Sequence, residues 1–122
     1  MNTVVTLDSG TIAVLVESFS DSPDVLKAVF SDFHESVGRL HDRIRHGIDT
    51  NNAEDMARAA HSLKSNASTV GALSMVDVLK EIETLGFSGK TSGCAALLAR
   101  SEEAYQALIP AFAAVMDVAE AL

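Results

Sequence analysis

The sequence predicts an all-α protein, an antiparallel four-helix bundle with an additional short N-terminal helix. Three observations lead there. Hydrophobic residues make up 48% of the chain, enough to bury a core and too many for a disordered segment. The chain has five Phe, one Tyr and no Trp, and only two prolines and seven glycines interrupt it; a sheet protein would want more aromatic and β-branched residues. Apolar residues also recur at spacings of three and four through most of the sequence, which is the helical period. The 122 residues are the usual size of one domain with one core. Residues 1–122 are therefore expected to form a single helical domain, and no internal repeat, low-complexity tract or linker divides them.

The first helix is expected at about residues 10 to 19, capped by Asp8 or Ser9, with Ile12, Leu15 and Val16 as its apolar stripe. Ser22-Pro23-Asp24 then supplies a capping serine, a proline at the first helical position and an acid in the first turn. From that start Leu26, Val29, Phe30, Phe33, Val37, Leu40 and Ile44 form a stripe, and Gly47 is the expected stop. Asn51 or Asn52 can cap a third helix with stripe Met56, Ala60, Leu63, Ala67 and Val70, ended by Gly71. A fourth helix is expected to turn Leu73, Val76, Leu79 and Ile82 inward and to stop near Gly86. Residues 87–93 read as a loop, with Thr91 or Ser92 capping the last helix. That helix carries Leu97, Leu98, Leu108, Phe112, Val115 and Met116, and Pro110 inside it predicts a kink or break.

The net charge of −8 repels a nucleic-acid duplex or an anionic membrane on average, so neither is an expected partner. Most basic residues nevertheless lie mid-chain, at Arg39, Arg43, Arg45, Arg58 and Lys64, and none follows Arg100. That placement fits a surface that meets an anion or an acidic partner; it also fits ordinary solubilising charge. The single cysteine, Cys94, forms no internal disulfide and reads as a small core residue. The opening residues lack a basic n-region and an apolar stretch long enough for export or spanning, so a cytoplasmic location is the expectation.

One residue sits out of place on the helical wheel. His61 points roughly 140° away from the stripe of the third helix, toward solvent. Its helical neighbours are Ala57 and Arg58 one turn before, Lys64 and Ser65 one turn after, and Ser68 a further turn on. Small neighbours leave the ring open to a docking protein, and the two flanking cations suit an anion placed on it. An imidazole is substantially neutral and nucleophilic near pH 7. Phosphoryl transfer asks mainly for positioning and charge stabilisation. An ordinary surface histidine near an ordinary lysine would look the same on the wheel.

The run Ala60-His61-Ser62-Leu63-Lys64-Ser65-Asn66-Ala67-Ser68-Thr69-Val70-Gly71-Ala72 resembles the signature of histidine-containing phosphotransfer (HPt) domains: AHxLK, then Gly or Ser, then five residues and Gly-Ala. Leu73, Leu79 and the Ile82-Glu83 pair continue the likeness into the fourth helix. The resemblance implies that His61 is phosphorylated at Nε2 and that Lys64 is the phosphate-stabilising cation. It implies that Ser65, where the family more often has Gly, keeps the ring open and offers a hydroxyl. It matches Glu83 to a position whose side chain accepts from the imidazole Nδ1–H; a solvated surface acid is the competing reading.

The implied function is a phosphorelay intermediate that takes phosphate from one receiver-domain aspartate and passes it to another. Its partners would be receiver domains of hybrid histidine kinases and response regulators. The Mg²⁺ of the reaction belongs to the receiver, so no cofactor is expected, and docking is expected on an apolar surface built from the first helix and the exposed sides of the second and third. The alternatives are a kinase-phosphorylated, chemotaxis-type phosphotransfer domain and an interaction module that binds receivers without accepting phosphate. His34 and His41, seven apart, share a face of the second helix and His46 lies five residues on, but no third ligand is marked on that face or a facing helix, so no metal site is predicted. No glycine-rich phosphate loop follows a strand, so neither nucleotide binding nor autokinase activity is expected.

Overall fold

The computed structural model describes residues 8–19 and 21–121, with side chains through residue 117. The helices are α1 (Ser9–Ser18), α2 (Pro23–Asp49), α3 (Ala53–Thr69), α4 (Leu73–Phe87) and α5 (Cys94–Ala121). Helix α3 packs between α2 and α4, and α5 closes the bundle against those two. The short connections at residues 50–52, 70–72 and 88–93 make successive long helices antiparallel. One cluster of buried apolar residues runs through α2, α3, α4 and α5. The Phe112 ring of α5 packs tilted against Phe30 and edge-on against Phe33 of α2, with centroids 5.2 and 5.6 Å apart. Among the described residues no helix is long and apolar enough to cross a membrane.

The expected stripe of α2 is buried except for Val29, which is half-buried, and Met56, Ala60, Leu63, Ala67 and Val70 of the third stripe are all buried. Asp8 caps α1 by accepting from the Gly10 N–H at 3.2 Å, and Asn52 caps α3 by accepting from the Asp55 N–H at 3.2 Å. Asn51 instead turns the chain with a left-handed φ of 54°. Gly71 does the same at the α3–α4 turn with φ 74°. Its carbonyl accepts from the Asp8 N–H at 2.8 Å, which ties α1 to this end of the bundle.

Several elements differ from the sequence expectation. Ser22 makes no side-chain cap; its carbonyl accepts from the Val25 and Leu26 N–H groups, and Pro23 supplies the start. Helices α2 and α4 end close to Gly47 and Gly86 as expected, but both glycines lie inside the last turn and serve packing rather than termination. A Cβ on Gly47 would lie 2.8 Å from Met56 Cβ, and one on Gly86 would lie 2.6 Å from Ala57 Cβ and 2.7 Å from the Ala53 carbonyl oxygen. The N-terminal end of α3 is thus held between two helices that approach it at glycines. The inward face of α4 is Met75, Val78, Leu79, Ile82 and Gly86; Leu73 is exposed and Val76 half-buried. The wheel drawn through Leu73 and Val76 missed this because α4 must face α3 and α5 together.

At the start of α5, Thr91 commits its hydroxyl hydrogen to Asn51 Oδ1 at 2.8 Å, joining two loops rather than capping the helix. Pro110 does not break α5. Gln106, whose carbonyl loses its partner, is exposed, so water can satisfy the orphaned group. Cys94 is buried, as the sequence suggested.

Candidate functional site

Helices α3 and α4 run side by side, so residues advancing along one meet residues receding along the other. His61 therefore meets Glu83, and the stretch one to two turns further along α3 meets Lys80 and Val76. The spacing that allows this is set a turn away, where Gly86 lets α4 approach Ala57.

The His61 side chain is 61% exposed, on the outward face that the wheel placed it on. Its Nδ1 lies 3.1 Å from Glu83 Oε2. A carboxylate only accepts, so Nδ1 carries the ring proton of the neutral imidazole and Nε2 keeps its lone pair. Among the described residues Nε2 has no hydrogen-bond partner. The tautomer and ring orientation are thus those required of an Nε2 nucleophile, held by an acid that is only 19% exposed. Glu83 is therefore an orienting partner in geometry, not a freely solvated acid.

Lys64 Nζ lies 2.8 Å from Glu83 Oε2, the same oxygen that accepts the imidazole Nδ1–H hydrogen bond. Burial alone would raise the Glu83 carboxyl. The hydrogen bond from Lys64 and then that from His61, with the attraction of both groups, bring it below its ordinary value. Glu83 so remains an anion at neutral pH, beside the His61 ring.

A groove of about 520 Å³ opens beside the ring, lined by His61, Lys64, Ser65, Ser68, Thr69, Val76 and Lys80. Ser65 is exposed there, and its carbonyl accepts from the Thr69 hydroxyl at 3.1 Å. Two neighbours expected from the wheel are absent. Ala57 is fully buried under Gly86, and Arg58 turns back to Glu54 Oε1 at 2.6 Å. Sequence reasoning missed Lys80. The signal was present, since Val76, Lys80 and Glu83 share one face of α4 at helical spacing, but only Glu83 was read from it.

Two of the other histidines, His34 and His41, are engaged between α2 and α5, while His46 is exposed. His34 Nδ1 lies 2.6 Å from the Tyr105 hydroxyl, and the buried His41 Nε2 lies 2.8 Å from Ser101 Oγ. Among the described residues no three His, Cys, Asp or Glu side chains converge as metal ligands would.

The sequence model of the Hpt domain matches residues 28–113 of this chain, a span that contains α3, α4, and every side chain described above as lining the groove. The chain belongs to the Hpt domain family. No curated protein sequence matches it. Among solved structures it is similar to histidine-containing phosphotransfer protein B of Pseudomonas aeruginosa PAO1. That likeness has a TM-score of 0.74 and 22% identity over 93% of this chain and 90% of the other. A putative histidine-containing phosphotransfer protein from rice is also similar, with a TM-score of 0.79 and 18% identity over 93% and 81% of the two chains. At these identities the likeness establishes the shared fold: an all-α Hpt bundle.

Proposed function

We propose that this Hpt domain is a phosphorelay intermediate whose carrier is His61 Nε2, loaded from a receiver aspartyl phosphate and unloaded onto another receiver's aspartate. The observation that carries the reading is the Nδ1–H bond to Glu83 in an otherwise exposed ring. The Nε2 lone pair forms the N–P bond as the P–O bond to the donor's aspartyl oxygen breaks. The departing electron pair stays on that carboxylate. The Nδ1 proton remains hydrogen-bonded to Glu83, whose charge faces the cationic ring that results. Lys64 holds Glu83 in place and is within the groove to meet the phosphoryl oxygens; Ser65 keeps the approach clear.

Docking of the receiver is assigned to the surface beside this groove. Thr69 borders both the His61 groove and a second one between α2 and α3, lined by Val29, Asp32, Phe33, Ser36, Asn66 and Val70. The domain acts as a phosphate carrier, without a nucleotide site or autokinase activity, in the cytoplasm where receivers reside.

The test is incubation with phosphorylated receivers, followed by assay for acid-labile, base-stable phosphate. His61→Gln should stay folded by circular dichroism, since an exposed helical position tolerates glutamine, and should accept none. Lys64→Ala should slow transfer roughly ten- to a hundredfold, the worth of one charge-assisted contact. Phosphate still accepted by folded His61→Gln would mean another residue carries it.

A further inference from the structure

The groove beside His61 holds a second cation. Lys80 lines it together with His61, Lys64, Ser65 and Ser68, and among the described residues it pairs with no carboxylate. Lys64 differs, since its ammonium rests on Glu83 Oε2, at the Nδ1 side of the ring. The charges of Lys64 and Glu83 offset each other, whereas Lys80, though Asp77 and Glu81 lie near it on α4, forms no ion pair among the described residues and lines the groove with its ammonium uncommitted. A phosphoryl group on Nε2 brings close to two negative charges and three acceptor oxygens into that space. Its stabilisation falls to cations that can reach those oxygens.

We propose that Lys80 is a phosphate-contacting residue of this site, which meets the phosphoryl oxygens on His61 Nε2 while Lys64 remains shared with Glu83. The proposal rests on His61 being the carrier and adds no new chemical step. The same N–P bond forms and the same P–O bond breaks, and Lys80 keeps its protons throughout. It differs from the pattern AHxLK in drawing the second cation from α4, one turn before the orienting acid. Val76, a further turn back on the same face, gives the groove an apolar floor on the α4 side.

The test compares wild type, His61→Gln, Lys80→Ala, Lys80→Arg and Lys80→Glu with two donors, a phosphorylated receiver and phosphoramidate. Phosphoramidate has no docking surface, so it reads the groove alone. Lys80→Ala should accept phosphate about tenfold more slowly from both donors, with receiver affinity unchanged. Lys80→Arg should restore most of the rate, and Lys80→Glu should be slower than Lys80→Ala. The gap between wild type and Lys80→Ala should narrow from 0.1 to 1 M salt, as the Debye length falls from about 10 to about 3 Å. Wild-type rates in Lys80→Ala would overturn the proposal. So would equal losses in Lys80→Ala and Lys80→Arg, or a loss confined to the receiver and matched by weaker docking. A wild-type protein that takes no phosphate, or a His61→Gln protein that does, would sink the carrier reading itself and Lys80's role with it. That failure is visible before any Lys80 variant is measured.

Discussion

Adding one methyl group at Gly86 should damage both stability and transfer, although it should favour the helix. Gly86 lies within α4, where alanine is the better helix former by about 1 kcal/mol. The new Cβ would lie 2.6 Å from Ala57 Cβ and 2.7 Å from the Ala53 carbonyl oxygen. Carbon atoms pack at about 3.5–4.0 Å, so α3 and α4 must part by roughly 1 Å. The obstruction is helix backbone and a Cβ, neither of which can swing aside as a long side chain would. Overpacking of this kind costs about 1–3 kcal/mol. Taking the upper end for so rigid a contact and subtracting the propensity gain leaves about 2 kcal/mol of destabilisation. For a chain of this length that is a fall in Tm of about 8 °C. Gly86 is one turn from Glu83, and Ala57 one turn from His61, so the same displacement stretches the 3.1 Å bond that orients the imidazole. Urea unfolding and phosphate acceptance at a temperature where the variant is fully folded measure the two effects. A Gly86→Ala protein as stable as wild type, with wild-type acceptance, would refute the claim that this glycine sets the α3–α4 spacing.

Two further outcomes check the core and its ionisable groups. Leu63→Ala, a truncation of a fully buried residue of α3, should cost about 2–5 kcal/mol in chemical denaturation; a cost near zero would mean that Leu63 does not face the core. Burial pulls the His41 imidazole below its ordinary value of 6.5, against the attraction of Glu102. The unfolded chain therefore binds the proton more readily than the folded one. Stability should be full above pH 6.5 and decline as pH falls from there toward the folded value. His34, lowered by burial too, adds to the slope. His41→Gln should flatten the profile below pH 6.5 in denaturant titrations, and an unchanged slope would show that His41 does not contribute to it.

The helical bundle and its third helix were legible because they follow from periodicity. A stripe such as Leu26, Phe30, Phe33, Val37 and Leu40 has one physical reading, and the outward direction of His61 follows from the same geometry. The ends of α2 and α4 fall within two residues of the expected places, but the role of the glycines there was not legible. A glycine in sequence looks the same whether it ends a helix or admits a neighbour, and only the positions of Met56 and Ala57 decide that Gly47 and Gly86 do the latter. The inward face of α4 was misjudged for a related reason: Leu73 and Met75 are both apolar, and the choice between them depends on where α5 lies. At the site, neighbours along α3 were inferred correctly where they stay on the surface, as with Lys64, Ser65 and Ser68. The inference failed at Arg58, whose long side chain had an acid, Glu54, available one turn back. It also failed at Lys80, which reaches the site across the helix pair rather than along it.

That last distinction explains why the fold matters to the chemistry. A lone helix can present a histidine beside a lysine, but it cannot fix the ring's tautomer, because the acceptor must approach Nδ1 from the side. Here the acceptor comes from α4, and its reach depends on how closely that helix lies against α3. The closeness comes from residues that take no part in the reaction: Gly86 on one helix, Ala53 and Ala57 on the other. Glu83 in turn stays charged because Lys64 and His61 both donate to it. In the transfer proposed above its anion would face the positive ring left by N–P bond formation, on the side away from the groove that Lys80 lines. Small residues at one turn thus hold the charged residues of the next in a geometry that side-chain flexibility alone would not maintain.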